Sequence, residues 1–148
     1  MHIALGTDED VHLVSEIVRL LEERGHTVER YGAAAGRKEP WATTAVAVAE
    51  AVARGDHPFG IVCCWTGTGV SIAANKVQGV RAALAFDAET ARGARKWNDA
   101  NVLALSLRAT SPTIAKEILD AWLSEPYGGT EDESLALIRE REGARPAP

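Results

Sequence analysis

Residues 59–64 form a short apolar run after Pro58, residues 65–69 (Trp-Thr-Gly-Thr-Gly) break it, and residues 70–76 resume with helical spacing. An apolar run that feeds a glycine-bearing loop and then a helix is the pattern of a buried parallel strand entering a crossover, which narrows the chain to a layered α/β fold. Gly67 and Gly69 let the loop amides turn inward. The helix then brings its unpaired N–H groups and the positive end of its dipole to the same spot, so an anion or oxyanion site is expected around Gly67, Thr68 and Gly69. Cys64 is the last strand residue before this loop, a position that lowers a thiol pKa and favours a nucleophilic or basic thiolate. A buried structural cysteine beside a capping loop is the other reading. Side chains alternate across a strand, so Cys63 points to the opposite face and reads as structural.

Composition sets the outer limits. A chain of 148 residues, 46% hydrophobic and 25% charged, is expected to form one domain over residues 1–143, with a disordered tail at 144–148. It has no apolar run long enough to span a bilayer and no basic-then-apolar leader, so a cytoplasmic protein is expected. The net charge of −5 argues against nucleic-acid and anionic-membrane partners. Two adjacent cysteines cannot form an ordinary intrachain disulfide, which suits a reducing compartment. His2, His12, His26 and His57 lie in no ligand-like spacing, and no metal site is expected.

Taken in order, strand and helix patterns alternate. Residues 3–5 form a strand, and apolar positions recur at helical spacing over 11–21 before Gly25, a C-cap. Residues 26–31 form a second strand, 32–40 a loop and 41–54 an alanine-rich helix. After the third strand, residues 81–86 form a fourth, 88–96 a helix and 102–105 a fifth. Ser111-Pro112 opens a helix that runs to residue 123, since proline at the first helical position after a serine cap is a start signal. A last helix covers 131–142. Five strands separated by helices predict a three-layer αβα fold with a parallel sheet, Rossmann-like or flavodoxin-like, in the order 2-1-3-4-5, plus the C-terminal helix. Ligands bind such sheets beyond the carboxyl ends of the strands where the winding reverses, here between strands one and three. The loops meeting there are residues 6–10 (Gly-Thr-Asp-Glu-Asp) and 64–69. Asp8 is either a site carboxylate or the N-cap of the first helix.

These residues carry a resemblance. Gly-Thr-Asp at 6–8, Cys64 with Thr66-Gly67 and Gly69-Val70-Ser71-Ile72-Ala73-Ala74-Asn75-Lys76, Val80-Arg81-Ala82, Asn98-Asp99 with Asn101-Val102-Leu103-Ala104, and Asp120-Ala121-Trp122-Leu123 resemble the type B ribose-5-phosphate isomerases and the related galactose-6-phosphate isomerase subunits. The resemblance extends to about residue 138. It implies a cofactor-independent aldose–ketose isomerase in which Cys64 is the base that moves a proton between C1 and C2 of an open-chain sugar. It also implies that the glycine-rich amides and Asn98 hold the enediolate oxygens, and that no metal or organic cofactor takes part. That chemistry agrees with the reading from the residues, because an enediolate needs both a positioned base and an oxyanion site. The resemblance further implies at least a homodimer, or a tetramer, with Trp97 and Asn98 reaching the Cys64 of a neighbouring chain.

The chain also departs from the family pattern. The usual Asp-His after the first strand is here Asp8-Glu9. The histidine that opens the sugar ring is replaced by Trp97, whose indole N–H donates but exchanges no proton near neutral pH. Trp65 stands where a glycine usually follows the cysteine. The two phosphate arginines near the start of the last helix align with Thr130 and Ser134 amid Glu131, Asp132 and Glu133, whereas Arg108 matches a third family arginine. These departures predict poor activity on ribose 5-phosphate and a preferred sugar or sugar derivative that is less anionic or carries its charge elsewhere. The competing expectation is a non-catalytic sugar- or metabolite-binding homologue, or an inactive subunit of a hetero-oligomer.

Overall fold

The computed structural model describes residues 1–143, so the expected tail at 144–148 lies outside the described residues. The elements run β1 (His2–Thr7), α1 (His12–Glu23), β2 (Thr27–Gly32), a 3-10 turn (Ala33–Ala35), α2 (Trp41–Ala53), β3 (Gly60–Cys64), α3 (Thr68–Ala74), β4 (Ala82–Leu84), α4 (Ala88–Asn98), β5 (Val102–Ser106), α5 (Pro112–Ser124) and α6 (Asp132–Gly143). Every strand pairing is parallel. No helix among the described residues is long and apolar enough to cross a membrane.

The three-layer α/β class holds, but the strand order is β2-β1-β3-β5-β4 and not 2-1-3-4-5. Burial explains the exchange of the last two strands. All five residues of β5 are buried, as a strand covered on both faces requires, while β4 keeps only three residues, all half-buried, as suits an edge. The reversal of winding still falls between β1 and β3, the kind of point at which such sheets take their ligands.

The sheet separates two cores. Ile3, Leu5, Ile61, Cys63, Leu103 and Leu105 pack against α1, α4 and α5 on one face. Ala4, Val62, Cys64, Val102 and Ala104 pack against α2 and α3 on the other. The second face is lined by small residues because α2 lies close to it: a Cβ on Gly6 would stand 2.7 Å from Val48 Cγ2 and 2.8 Å from Thr44 Cγ2. On the first face Trp122 is 1% exposed and meets Phe59 edge-on at 5.8 Å.

Local signals account for most boundaries. Ser111 Oγ accepts from the Ile114 amide at 3.2 Å with Pro112 at the first helical position, and Gly25 follows α1 at φ 78°. One capping expectation fails. The N-cap of α1 is Val11, with no side-chain bond, so Asp8 does not cap that helix.

Candidate active site

Two loops meet beyond the carboxyl ends of β1 and β3, joined by a third after β5. Cys64 is the last residue of β3 and pairs in register with Ser106, the last residue of β5. The two loops that follow are tied together. Leu107 N–H donates to Cys64 O at 2.9 Å, Arg108 N–H to Trp65 O at 3.0 Å, and Ser106 Oγ to Trp65 O at 2.9 Å. This lacing brings the backbone of Arg108 beside Trp65, and both side chains are exposed.

The turn from β3 into α3 is the tightest part of the site. Gly67 is the N-cap of α3 in the left-handed region at φ 76°. A Cβ there would stand 2.6 Å from Leu84 Cδ1 and 2.9 Å from the Leu105 carbonyl carbon, so both conformation and space demand glycine. The helix begins at Thr68, two residues earlier than its periodicity suggests, which leaves the amides of its first turn without intrahelical acceptors at the mouth of the crevice. Thr66 and Thr68 share a hydroxyl hydrogen bond of 2.8 Å. Gly69 has a different constraint that sequence reasoning missed. A Cβ there would lie 3.1 Å from the Trp41 ring, which is 43% exposed, so Trp41 of α2 forms a wall of the site. Its place at a helix start hid that role.

The thiols are divided by the sheet. Cys63 is fully buried on the α1/α4/α5 side, and burial, then the neighbouring Cys64 and Asp8, push its pKa up to about 12. Cys64 is 6% exposed on the α2/α3 side. Asp8 is near enough to act on Cys63, and its Oδ1 is buried with no hydrogen-bond partner among the described residues. Thr7 holds the turn by accepting from the Glu9 amide at 3.2 Å, and Glu9 itself is exposed.

Not every expected site residue joins this crevice. Trp97 and Asn98 close α4 and precede β5, at the amino-terminal edge of the sheet. Between Val102 and Ser106 the strand climbs on the order of 13 Å, so these two residues lie at the far end of the sheet from their own Cys64. Asn98 instead borders a cavity of about 570 Å³ with Asn75, Arg81, Leu137, Ile138 and Glu142. Thr130 lies in the turn before α6 and Ser134 in its first turn, where Ser134 Oγ donates to Glu131 Oε2 at 3.2 Å and Tyr127 OH to Asp132 Oδ1 at 2.8 Å.

Comparison with known proteins places this geometry. The sequence pattern of the family described as Ribose/Galactose Isomerase matches residues 3–138. D-erythrulose-4-phosphate isomerase of Pectobacterium atrosepticum is 40% identical over 131 residues, covering 87% of this chain and 86% of that protein. Ribose-5-phosphate isomerase B of Escherichia coli is 40% identical over 138 residues, covering 92% and 93%. The solved structure of Clostridium thermocellum ribose-5-phosphate isomerase B superposes with a TM-score of 0.90 at 39% identity, covering 97% of this chain and 98% of that one.

Proposed function

The chain belongs to the ribose/galactose isomerase family, and on that premise we propose that it is an aldose–ketose isomerase of a short, open-chain sugar phosphate, with Cys64 as its base. The Cys64 thiolate takes the proton from the carbon beside the carbonyl, giving an enediolate, and returns it to the adjacent carbon. One proton crosses between carbons and one between oxygens, and no outside oxidant or reductant is needed. The Gly67, Thr68 and Gly69 amides, with Thr66, face the oxygen on which charge develops, where prearranged donors contribute most. Asp8, Glu9 and Trp65 line the substrate's other side, and Asn98 enters from a second copy of the chain. The supporting observation is the position of Cys64, the last residue of a buried strand, beside a glycine-capped helix start.

Trp97 carries the substrate reading. A pentose or hexose phosphate rests as a ring and needs a proton-exchanging group to open it, which an indole does not supply. A four-carbon sugar phosphorylated on O4 has lost the hydroxyl that would close a five-membered ring, so it stays open and needs no such group. A relative named for D-erythrulose 4-phosphate supports this choice. Trp65, which fills the space of a family glycine, also favours a shorter substrate. A shorter chain places its phosphate nearer the reacting carbons, so the arginine-poor start of α6 is not where its charge would rest. Arg108 is the cation we assign to it.

The test compares kcat/KM for erythrose and erythrulose 4-phosphates with ribose 5-phosphate, galactose 6-phosphate and unphosphorylated erythrulose. The expected result is at least a tenfold preference for a tetrose phosphate. Turnover of ribose 5-phosphate near ~10⁴ M⁻¹s⁻¹, at or above the tetrose value, overturns the substrate assignment.

A further inference from the structure

At the opposite edge of the sheet from Cys64, three metal-ligating side chains converge from separate parts of the chain. His2 begins β1, Glu29 is in the middle of β2, and His57 lies in the connection from α2 to β3. Their donor atoms all lie within 4.8 Å of one another. Parallel pairing sets the cluster: His2 stands opposite Thr27, so Thr27, Glu29 and Tyr31 project to one face of β2 by strand alternation. His57 packs beneath them, 2% exposed.

The hydrogen bonds engage Nδ1 of each ring and leave each Nε2 toward Glu29. His57 Nδ1 stands 3.3 Å from the His2 carbonyl oxygen, and a carbonyl only accepts, so Nδ1 carries a proton and, in the neutral ring, Nε2 holds the lone pair. That lone pair faces Glu29 Oε2 at 3.1 Å. His2 Nδ1 is held by the Thr27 hydroxyl at 2.8 Å, which turns His2 Nε2 toward the same carboxylate oxygen at 3.4 Å. Tyr31 OH donates to the other oxygen, Glu29 Oε1, at 3.1 Å. With Thr27 Oγ1 accepting from His2 Nδ1–H, both rings offer an Nε2 lone pair toward the Glu29 carboxylate, an arrangement that a cation between them would satisfy. Two ligands about 2.05 Å from a tetrahedral centre stand roughly 3.3 Å apart, close to the two histidine–carboxylate separations of 3.4 and 3.1 Å, and a small closing movement would bring all three donors, now within 4.8 Å of one another, onto one ion. Each ring also has the engaged second nitrogen that orients a ligating imidazole, and the carboxylate has its own supporting donor.

We propose that His2 Nε2, His57 Nε2 and Glu29 Oε2 form a three-ligand site for a divalent cation of the zinc class at the amino-terminal edge of the sheet. Two imidazoles and a carboxylate suit such an ion, with the fourth position on the solvent side where His2 and Glu29 are half exposed. Because the three residues come from β1, β2 and the entry to β3, the ion clamps the sheet edge. Its position makes it structural, since the crevice at Cys64 lies at the other end of the strands.

Zinc titration of the full chain by calorimetry, with thermal unfolding alongside, tests this. The expected result is saturable binding of one zinc ion per chain at micromolar or lower concentration, with a zinc-dependent rise in Tm. His2→Ala and Glu29→Gln, both replacements of exposed side chains, should each weaken binding at least tenfold while leaving the circular dichroism spectrum unchanged. A Cys63→Ser/Cys64→Ser variant should still bind. Absence of saturable binding up to about 1 mM zinc overturns the proposal in favour of a simple His57–Glu29 ion pair, as does binding that is lost with the cysteines or unchanged in both His2→Ala and Glu29→Gln.

Discussion

Cys63 and Cys64 are adjacent in sequence and both buried, yet strand alternation sends one into the larger apolar core and the other to the α2/α3 face of the sheet. With its pKa pushed up to about 12, Cys63 holds its proton throughout the neutral range, and charge develops there only in strong alkali. Alkylation followed by mass spectrometry at pH 7–8 should therefore label Cys64 and leave Cys63 unmodified; equal labelling of both would remove Cys64 from its assigned role. Cys64→Ala should lower turnover by about 10² to 10⁴, the usual worth of a general base, while Cys63→Ala keeps most activity at some cost in stability. Gly67 is the other residue whose neighbours decide everything. Gly67→Ala forces a Cβ into the left-handed region and against the Leu105 backbone, and should cost about 2 kcal/mol or more, seen as a lower urea midpoint at unchanged slope. The need for glycine at 67 was legible because the loop chemistry is local. Trp41 was not, because its contact with Gly69 depends on how α2 lies against α3.

The order of the last two strands shows where element-scale reading ran out. Periodicity and turn signals located all five strands, but residues 81–86 and 102–105 are both short and apolar, and nothing in either stretch states which one is inserted next to β3. The choice is made in three dimensions, where Val102–Ser106 can bury both faces and Ala82–Leu84 cannot. The edge position of β4 then needs a staple, and Asn75 at the end of α3 supplies it. Its Oδ1 accepts from the Ala82 amide at 2.8 Å, and its Nδ2 donates to Ala82 O at 2.8 Å and to Ser71 O at 3.0 Å. The side chain thus acts as a short substitute strand. Asn75→Ala should destabilise by about 1 to 3 kcal/mol, with hydrogen-exchange protection falling first at Ala82 and its neighbours. Uniform loss of protection across the sheet would show instead that β4 unfolds only with the whole.

At the scale of the molecule, the apolar residues left on the surface point to a second chain. Ile72, Trp65, Trp97, Phe86 and Leu137 are each more than half exposed. On α6 only Leu135 is buried while Leu137 and Ile138 border the cavity that also holds Asn98. Exposed aromatic and aliphatic side chains of this kind are what interfaces cover. We infer a symmetric dimer in which Asn98 of each subunit completes the crevice of the other, since its own Cys64 lies at the far end of the sheet. Mixing tests this more sharply than mass alone. Cys64→Ala and Asn98→Ala should each be nearly inactive as pure dimers. After the two are unfolded together and refolded, half of the dimers are mixed, and each mixed dimer has one crevice with both residues intact and one with neither. Activity should therefore return to about a quarter of the wild-type value. If Asn98 served the Cys64 of its own chain, every crevice would still lack one group, and mixing would restore nothing.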